Sequence, residues 1–340
     1  MKDEIKRIDY IDIFRGFGII LMIMGHINFG SIFDHYIHAF HMPMFFFITG
    51  YFYKTKSMST LEYVIKKAKS LIVPYISFAI FHSVFYIILY KSFSIQFLYH
   101  ILLINTDGMP ITGALWFLTA LFFVDILYYL LDKYLKDNVV CFTIVVIFMV
   151  LIGTLVPKMT GLRLPWAIDV SLVSIGFCHI GRLIGNKKIP HADFVANLNS
   201  IFTFLVIIAF SVLVFVNGYV NMRTADYAIV PLFWINSISL IIGWLNLARI
   251  VDNKLTSLHV LGWIITEMKF IGKNSIIYLC LNQFTILILN LIVDKMVSLT
   301  GITIPYIIIS IVFLILTLII LHILYELFDK TKLIIMIGRF

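Results

Sequence analysis

Ile11-Asp12-Ile13-Phe14-Arg15-Gly16-Phe17-Gly18-Ile19-Ile20-Leu21-Met22-Ile23-Met24-Gly25-His26 decides the fold, because this stretch belongs to an apolar run of membrane-spanning length that nevertheless holds an arginine and a histidine. On a helix of 3.6 residues per turn, Arg15 and His26 differ by about 20° in azimuth and roughly 16 Å in height. They line one face, three turns apart. A charged or titratable group facing lipid is costly, so such residues normally face protein or a watery cavity. Two readings remain open at this point. In one, Arg15 snorkels to the interface and His26 is a buried, satisfied imidazole. In the other, the pair borders a polar track that enters the membrane, with a cation at its mouth and a proton-transfer group near its middle. Asp12, three residues before Arg15, is spaced to hold the guanidinium in an ion pair.

The rest of the chain repeats this pattern of apolar runs separated by short charged stretches. With 61% hydrophobic and 13% charged residues and a mean hydropathy of +1.01, the 340-residue chain lies far outside the range of a soluble domain. The expected class is all-α, a polytopic membrane protein read as one transmembrane domain over residues 1–340. Ten spans are predicted, at about 13–30, 35–53, 71–91, 114–132, 139–157, 166–185, 199–218, 227–248, 274–295 and 303–327. Pro74, Pro165 and Pro305 stand near span starts, where a missing N–H does no harm. Leu255 to Phe270 is apolar on part of its circumference and reads as a helix lying on the inner surface. Cys141, Cys178 and Cys280 lie in apolar runs, form no C-x-x-C pair and read as core packing. Lys2, Lys6 and Arg7 precede the first run without a small-residue cleavage site, so that run is expected to stay as an uncleaved helix.

Orientation follows from lysine and arginine. With a cytoplasmic N-terminus, 20 of the 26 basic residues fall on the inner side, five on the outer side (Lys91, Lys158, Arg163, Arg223, Lys295), and Arg15 alone lies within a span. Both termini are then expected in the cytoplasm. The net charge of +8 is dispersed among these flanking loops, as insertion alone requires, and gives no reason to expect nucleic acid. Lys66, Lys67 and Lys69, directly before the third span, serve equally as inside-positive anchors or as a phosphate-binding cluster.

Several further residues carry chemistry. His35, His38 and His41 open the second span, and His38 and His41 share a face near the outer end. No Cys, Asp or Glu at ligand spacing joins them except Asp34, so proton handling or contact with a sugar hydroxyl is expected of His41, helped by His38, and no metal. Pro43 is expected to kink this span and free carbonyls that need new partners. Asp125, inside the fourth span, needs a partner such as Arg15 or a histidine. Trp116 suits an outer aromatic belt or a substrate contact, and Trp166 with Asp169 suits the aromatic-plus-carboxylate grip of a sugar. Asn282 and Gln283 in the ninth span suit helix bridging or substrate binding equally.

Asp12-x-x-Arg15-Gly16, Gly25-His26 and His38-Ala39-Phe40-His41-Met42-Pro43-Met44-Phe45-Phe46-Phe47-Ile48-Thr49-Gly50-Tyr51 together resemble the opening of the acyltransferase-3 family of integral membrane proteins. Ser70-Leu71-Ile72-Val73-Pro74-Tyr75, Leu115-Trp116-Phe117-Leu118, Pro165-Trp166-x-x-Asp169 and Ile271-Gly272-Lys273-Asn274-Ser275 are similar, in order, to landmarks of its fucose 4-O-acetylase-like branch. The resemblance implies ten helices, a cytoplasmic acyl-CoA donor (acetyl-CoA or another), and transfer to a hydroxyl of a cell-surface or lipid-linked glycan. By that resemblance Arg15 and His26 match the family's arginine and histidine pair, and His41 its second-span histidine. It also implies acyl-CoA binding by Arg15, Lys66, Lys67 and Lys69, and a multi-pass protein of the bacterial cytoplasmic membrane. The chain departs from the pattern twice. Lysines replace arginines before Pro74-Tyr75, keeping charge but losing bidentate geometry. Asn282 stands where many members have a histidine, so this position cannot titrate.

A second class of function uses the same residues. A proton-coupled transporter or flippase also buries Arg, His and Asp, although no internal repeat is detectable here. A homodimer stays open on sequence grounds.

Overall fold

A computed structural model describes residues 9–92, 95–102, 113–255, 259–301 and 305–339. Lys2, Lys6 and Arg7, and the first residues of the predicted tenth span, lie outside the described residues. Within them the chain is helical, and the only bridge of β type joins Asn221 to Asp226.

Helix α1 (Asp9–Ile27) carries the Arg15–His26 face. The predicted second span is two short helices, α2 (Ser31–His38) and α3 (Pro43–Tyr51), with a break over 39–42. Pro43 explains the break. Its missing N–H would have bonded the Ala39 carbonyl, and that carbonyl instead accepts the Ser237 hydroxyl at 2.5 Å.

Helix α4 (Thr60–Lys67) starts on a capping box between Ser59 and Glu62 and continues through a π-helical turn, Ala68–Ile72, into α5 (Val73–Tyr90). A short α6 (Gln96–Leu102) follows, then α7 (Trp116–Leu135), α8 (Val139–Thr160) and α9 (Ile168–Gly185). After the short α10 (Ala192–Ala196) come α11 (Ser200–Asn217), α12 (Val230–Leu255), α13 (His259–Lys273), α14 (Ser275–Thr300) and α15 (Tyr306–Asp329).

Among the described residues, eight helices are long and apolar enough to cross a membrane by length and composition. Two predicted spans are not among them. The α2–α3 pair is broken, and α7 carries Asp125, Asp132 and Lys133. Helix α9 is mostly buried, whereas α8, α11 and α15 expose long apolar faces, so α9 is central and those three are peripheral.

Glycines permit close helix contacts, two of which position the site. A Cβ on Gly16 would overlap the Met268 carbonyl, which is how α13 lies against α1, and one on Gly50 would overlap the Cys178 carbonyl, which joins α3 to α9.

Candidate functional site

Positions 15, 19, 22 and 26 of α1 recur at helical spacing on one face. That face borders two cavities in succession. The near one, about 180 Å³, is lined by Arg15, Ile19, Phe45, Phe117 and Leu279 among others. The far one, about 300 Å³, is lined by Met22, His26, His38, His41, Trp116 and Arg223 among others. The segments around α1, α3, α7 and α14 contribute to both. The single track predicted from sequence is therefore two chambers, divided where Ile19 gives way to Met22 and Phe117 to Trp116. Phe117 and Phe45, both lining the near chamber, pack edge-on with ring centroids 5.5 Å apart.

Hydrogen bonding fixes which nitrogen each imidazole presents. His26 Nδ1 lies 2.5 Å from Asn282 Oδ1. The Asn282 Nδ2 group already donates to the Tyr278 and Leu279 carbonyls, at 2.9 and 2.7 Å, so Oδ1 can only accept. His26 must then carry its proton on Nδ1, which leaves Nε2 with the lone pair. His41 Nδ1 donates to the Ile37 carbonyl at 2.7 Å, and His38 Nδ1 to the Asp34 carbonyl at 2.9 Å. All three rings lining the far chamber carry a proton on Nδ1. His38 and His41 are in edge contact, with centroids 5.0 Å apart.

Asn282, expected to bridge helices or bind substrate, is fully buried, lines neither chamber and meets His26. Its neighbour Gln283 lines the far chamber, with a buried Oε1 that has no hydrogen-bond partner among the described residues.

The lysine cluster is partly committed elsewhere. Lys67 pairs with Asp125 at 2.7 Å, because α4 and the π-helical turn bring its ammonium over the middle of α7. Asp125, expected to meet Arg15 or a histidine, has this lysine as its partner and lines neither chamber. Lys66 and Lys69 are exposed beside it. In the loop before α4, burial and then the charges of Lys67, Lys66 and Lys54 push the Lys56 ammonium below its usual range. That end of the bundle is a cluster of cations that an anion would relieve.

Trp166 and Asp169 do not reach the chambers. The Trp166 indole donates to the Ile101 carbonyl at 3.1 Å, and Asp169 is buried in an ion pair with Arg163. Arg163 in turn donates to the Arg223 carbonyl at 2.7 Å. Asp12 is buried in α1 and also lines neither chamber.

Three residues take on roles that the sequence did not announce. Tyr219 and Arg223 sit on the hairpin between α11 and α12 and close the far chamber, with the Tyr219 hydroxyl donating to Asp34 at 2.8 Å. Arg223 looked like one of five scattered outer cations. Arg182 looked like an anchor, yet it is buried, bonded to Asp132 at 2.5 Å and packed over the Tyr53 and Phe142 rings at 5.0 and 5.3 Å. Tyr53 and Thr55 also donate to Asp132, both at 3.3 Å. Among the described residues no group of three or more His, Cys, Asp or Glu gathers as a metal site.

A family model described as an acyltransferase domain, Acyl_transf_3, matches residues 8–326, a span that contains both chambers. No curated protein and no solved structure matches the chain.

Proposed function

The chain belongs to the acyltransferase-3 family, and from that premise we propose that it transfers an acyl group, acetyl foremost, from cytoplasmic acyl-CoA to a hydroxyl of a cell-surface or lipid-linked glycan. It is an acyltransferase with several membrane helices. The observation that carries the finer reading is the pair of chambers on one face of α1, with Arg15 in the near one and His26 in the far one.

In this reading the cations before α5 attract the phosphates of the nucleotide, and the thiol arm enters beside Arg15, whose fork suits a phosphate or a carbonyl oxygen. The extended arm is comparable in length to the rise from Arg15 to His26. Phe45 and Phe117 must swing aside to join the chambers, which gates the thioester against water until an acceptor is in place.

His26 Nε2 then takes the proton of an acceptor hydroxyl as its oxygen attacks the thioester carbonyl. The C–S bond breaks, and the proton passes to the departing thiolate, giving the ester and free coenzyme A. The same lone pair supports a route through an acyl-imidazole, in which His26 attacks first and the hydroxyl second. His41 Nε2, in the same chamber and tautomer, is placed to assist either route.

The orienting role of Asn282 has a measurable consequence. Asn282→Leu frees the His26 ring to reorient and change tautomer, and kcat is expected to fall by roughly 10–100-fold with little change in donor KM. Asn282→Asp retains an acceptor for Nδ1–H and is expected to recover much of the rate. Equal losses in both variants would remove Asn282 from the account.

The reading is tested by giving purified protein acetyl-CoA and following both melting and coenzyme A release. At 100 times its Kd the donor should stabilise the fold by about 2.7 kcal/mol. In parallel, surface glycans from cells with and without the gene should differ by the mass of one or more acyl groups. A carrier would show neither effect.

A further inference from the structure

The hairpin over 218–229, between α11 and α12, separates two cavities. Tyr219 and Arg223 border the far chamber. On the other side lies a cavity of about 420 Å³, bordered by Thr154, Lys158, Arg163, Asp226 and Tyr227 among others. The partition is thin. Asn221 and Asp226 exchange N–H···O bonds of 2.8 and 3.0 Å as paired antiparallel residues do, which sets their backbones roughly 5.5 Å apart. Arg163 holds it in place, ion-paired with Asp169 and donating to the Arg223 carbonyl at 2.7 Å.

Tyr227 points to what the second cavity takes. It is only 3% exposed, it lines the cavity, and its hydroxyl has no hydrogen-bond partner among the described residues. Burial, with the Asp169 carboxylate nearby, raises its phenol well above the usual range, so it is a neutral O–H donor. Buried hydroxyls are normally paired, and this one is unpaired in a residue that borders the cavity. Around the same cavity stand the Lys158 ammonium and the Asp226 carboxylate, both on exposed residues. A hydroxyl, a cation and a carboxylate together suit a ligand whose own groups donate and accept by turns, as sugar hydroxyls do. A hydrocarbon chain would leave all three unused, and a polyanion would meet Asp226.

We infer that this cavity is a second sugar subsite, which holds the acceptor chain beyond the hydroxyl being acylated while the hairpin steers that hydroxyl toward His26. The inference rests on the glycan reading above. It adds that recognition extends past the reacting sugar, and that Arg163 couples the two sites through one hairpin.

The test uses the full chain in the cells that produce it, so that the natural acceptor is present. A photoreactive benzoylphenylalanine is placed either at position Val230, which lines the second cavity, or at Tyr219, which lines the chamber. After illumination, purified protein is probed for covalently bound, periodate-oxidisable sugar. The subsite predicts sugar at both positions. It also predicts that Tyr227→Phe and Lys158→Met each lower the Val230 adduct about fivefold, the size of one lost hydrogen bond, and leave the Tyr219 adduct nearly unchanged. Lys158→Met alters an exposed residue and carries the test if Tyr227→Phe does not fold. Sugar at Tyr219 alone, or a Val230 adduct indifferent to both substitutions, overturns the subsite and leaves the glycan reading intact. Sugar at neither position overturns both.

Discussion

His26→Ala is expected to lower acyl transfer by about 10²–10⁴-fold, the range for removing a positioned general base, while the protein stays folded. Both halves of that expectation come from the surroundings of the ring. His26 is half-buried at the wall of the far chamber, and among the described residues its hydrogen bond is to Asn282. Truncation enlarges an existing cavity and leaves one amide oxygen unpaired, a cost of about 1–3 kcal/mol that a bundle of this size tolerates. The Nε2 lone pair has no replacement at the same place, because His41 is held by its own bond to the Ile37 carbonyl. Arg15→Ala should act differently. In the near chamber, remote from the reacting hydroxyl, its loss should raise donor KM more than it lowers kcat. Steady-state kinetics on both variants in vesicles, beside a melting curve, checks the split. Near-normal transfer by the folded His26→Ala protein would remove the imidazole from the chemistry.

Asp132→Ala is expected to give the largest loss of stability, about 3–5 kcal/mol, with no direct effect on the chambers. Asp132 is the carboxylate partner of Arg182, whose guanidinium is buried over three aromatic rings, those of Tyr53, Phe142 and Tyr128. Removing the carboxylate strands that charge and also leaves the Tyr53 and Thr55 hydroxyls without an acceptor. The joint change Asp132→Leu with Arg182→Met removes both charges at once and should recover most of the loss, since paired buried charges contribute little beyond well-packed apolar groups. Melting in detergent, read by the fraction remaining monodisperse after heating, gives the four corners of the cycle. A single variant as stable as the parent would show that the pair is not what holds α9 against α7.

Arg15 and His26 could be placed on one face from the sequence because their separation is close to a whole number of helical turns, and nothing outside α1 is needed to see it. Pro43 was legible for the same local reason, since a missing N–H frees one particular carbonyl. Its partner Ser237 was not, because it arrives from α12, far along the chain. The roles of Asn282 and Lys67 were hidden in the same way. The first depends on α14 lying against α1, and the second on a π-helical turn that aims an ammonium at α7. Trp166 and Asp169 had the composition of a sugar site, but Ala167 and Trp166 adopt left-handed backbone angles that turn the segment inward, where Arg163 and the Ile101 carbonyl take up their polar atoms. The hairpin carrying Tyr219 and Arg223 has little local signature, since tertiary contacts hold it. The clue present in the sequence was Arg223, one of the few cations that the count of lysine and arginine assigns to the outer side.

The most direct test places donor and acceptor on opposite sides of a sealed membrane. Vesicles containing the purified protein are loaded with glycan extracted from the surface of the source cells, and radiolabelled acetyl-CoA is supplied only outside. Protein oriented with its lysine-rich end outward should deliver label to the enclosed glycan and release coenzyme A to the outside, and His26→Ala should lower both by about 10²–10⁴-fold. Label that reaches glycan only when donor and acceptor share a compartment would contradict transfer through stacked chambers.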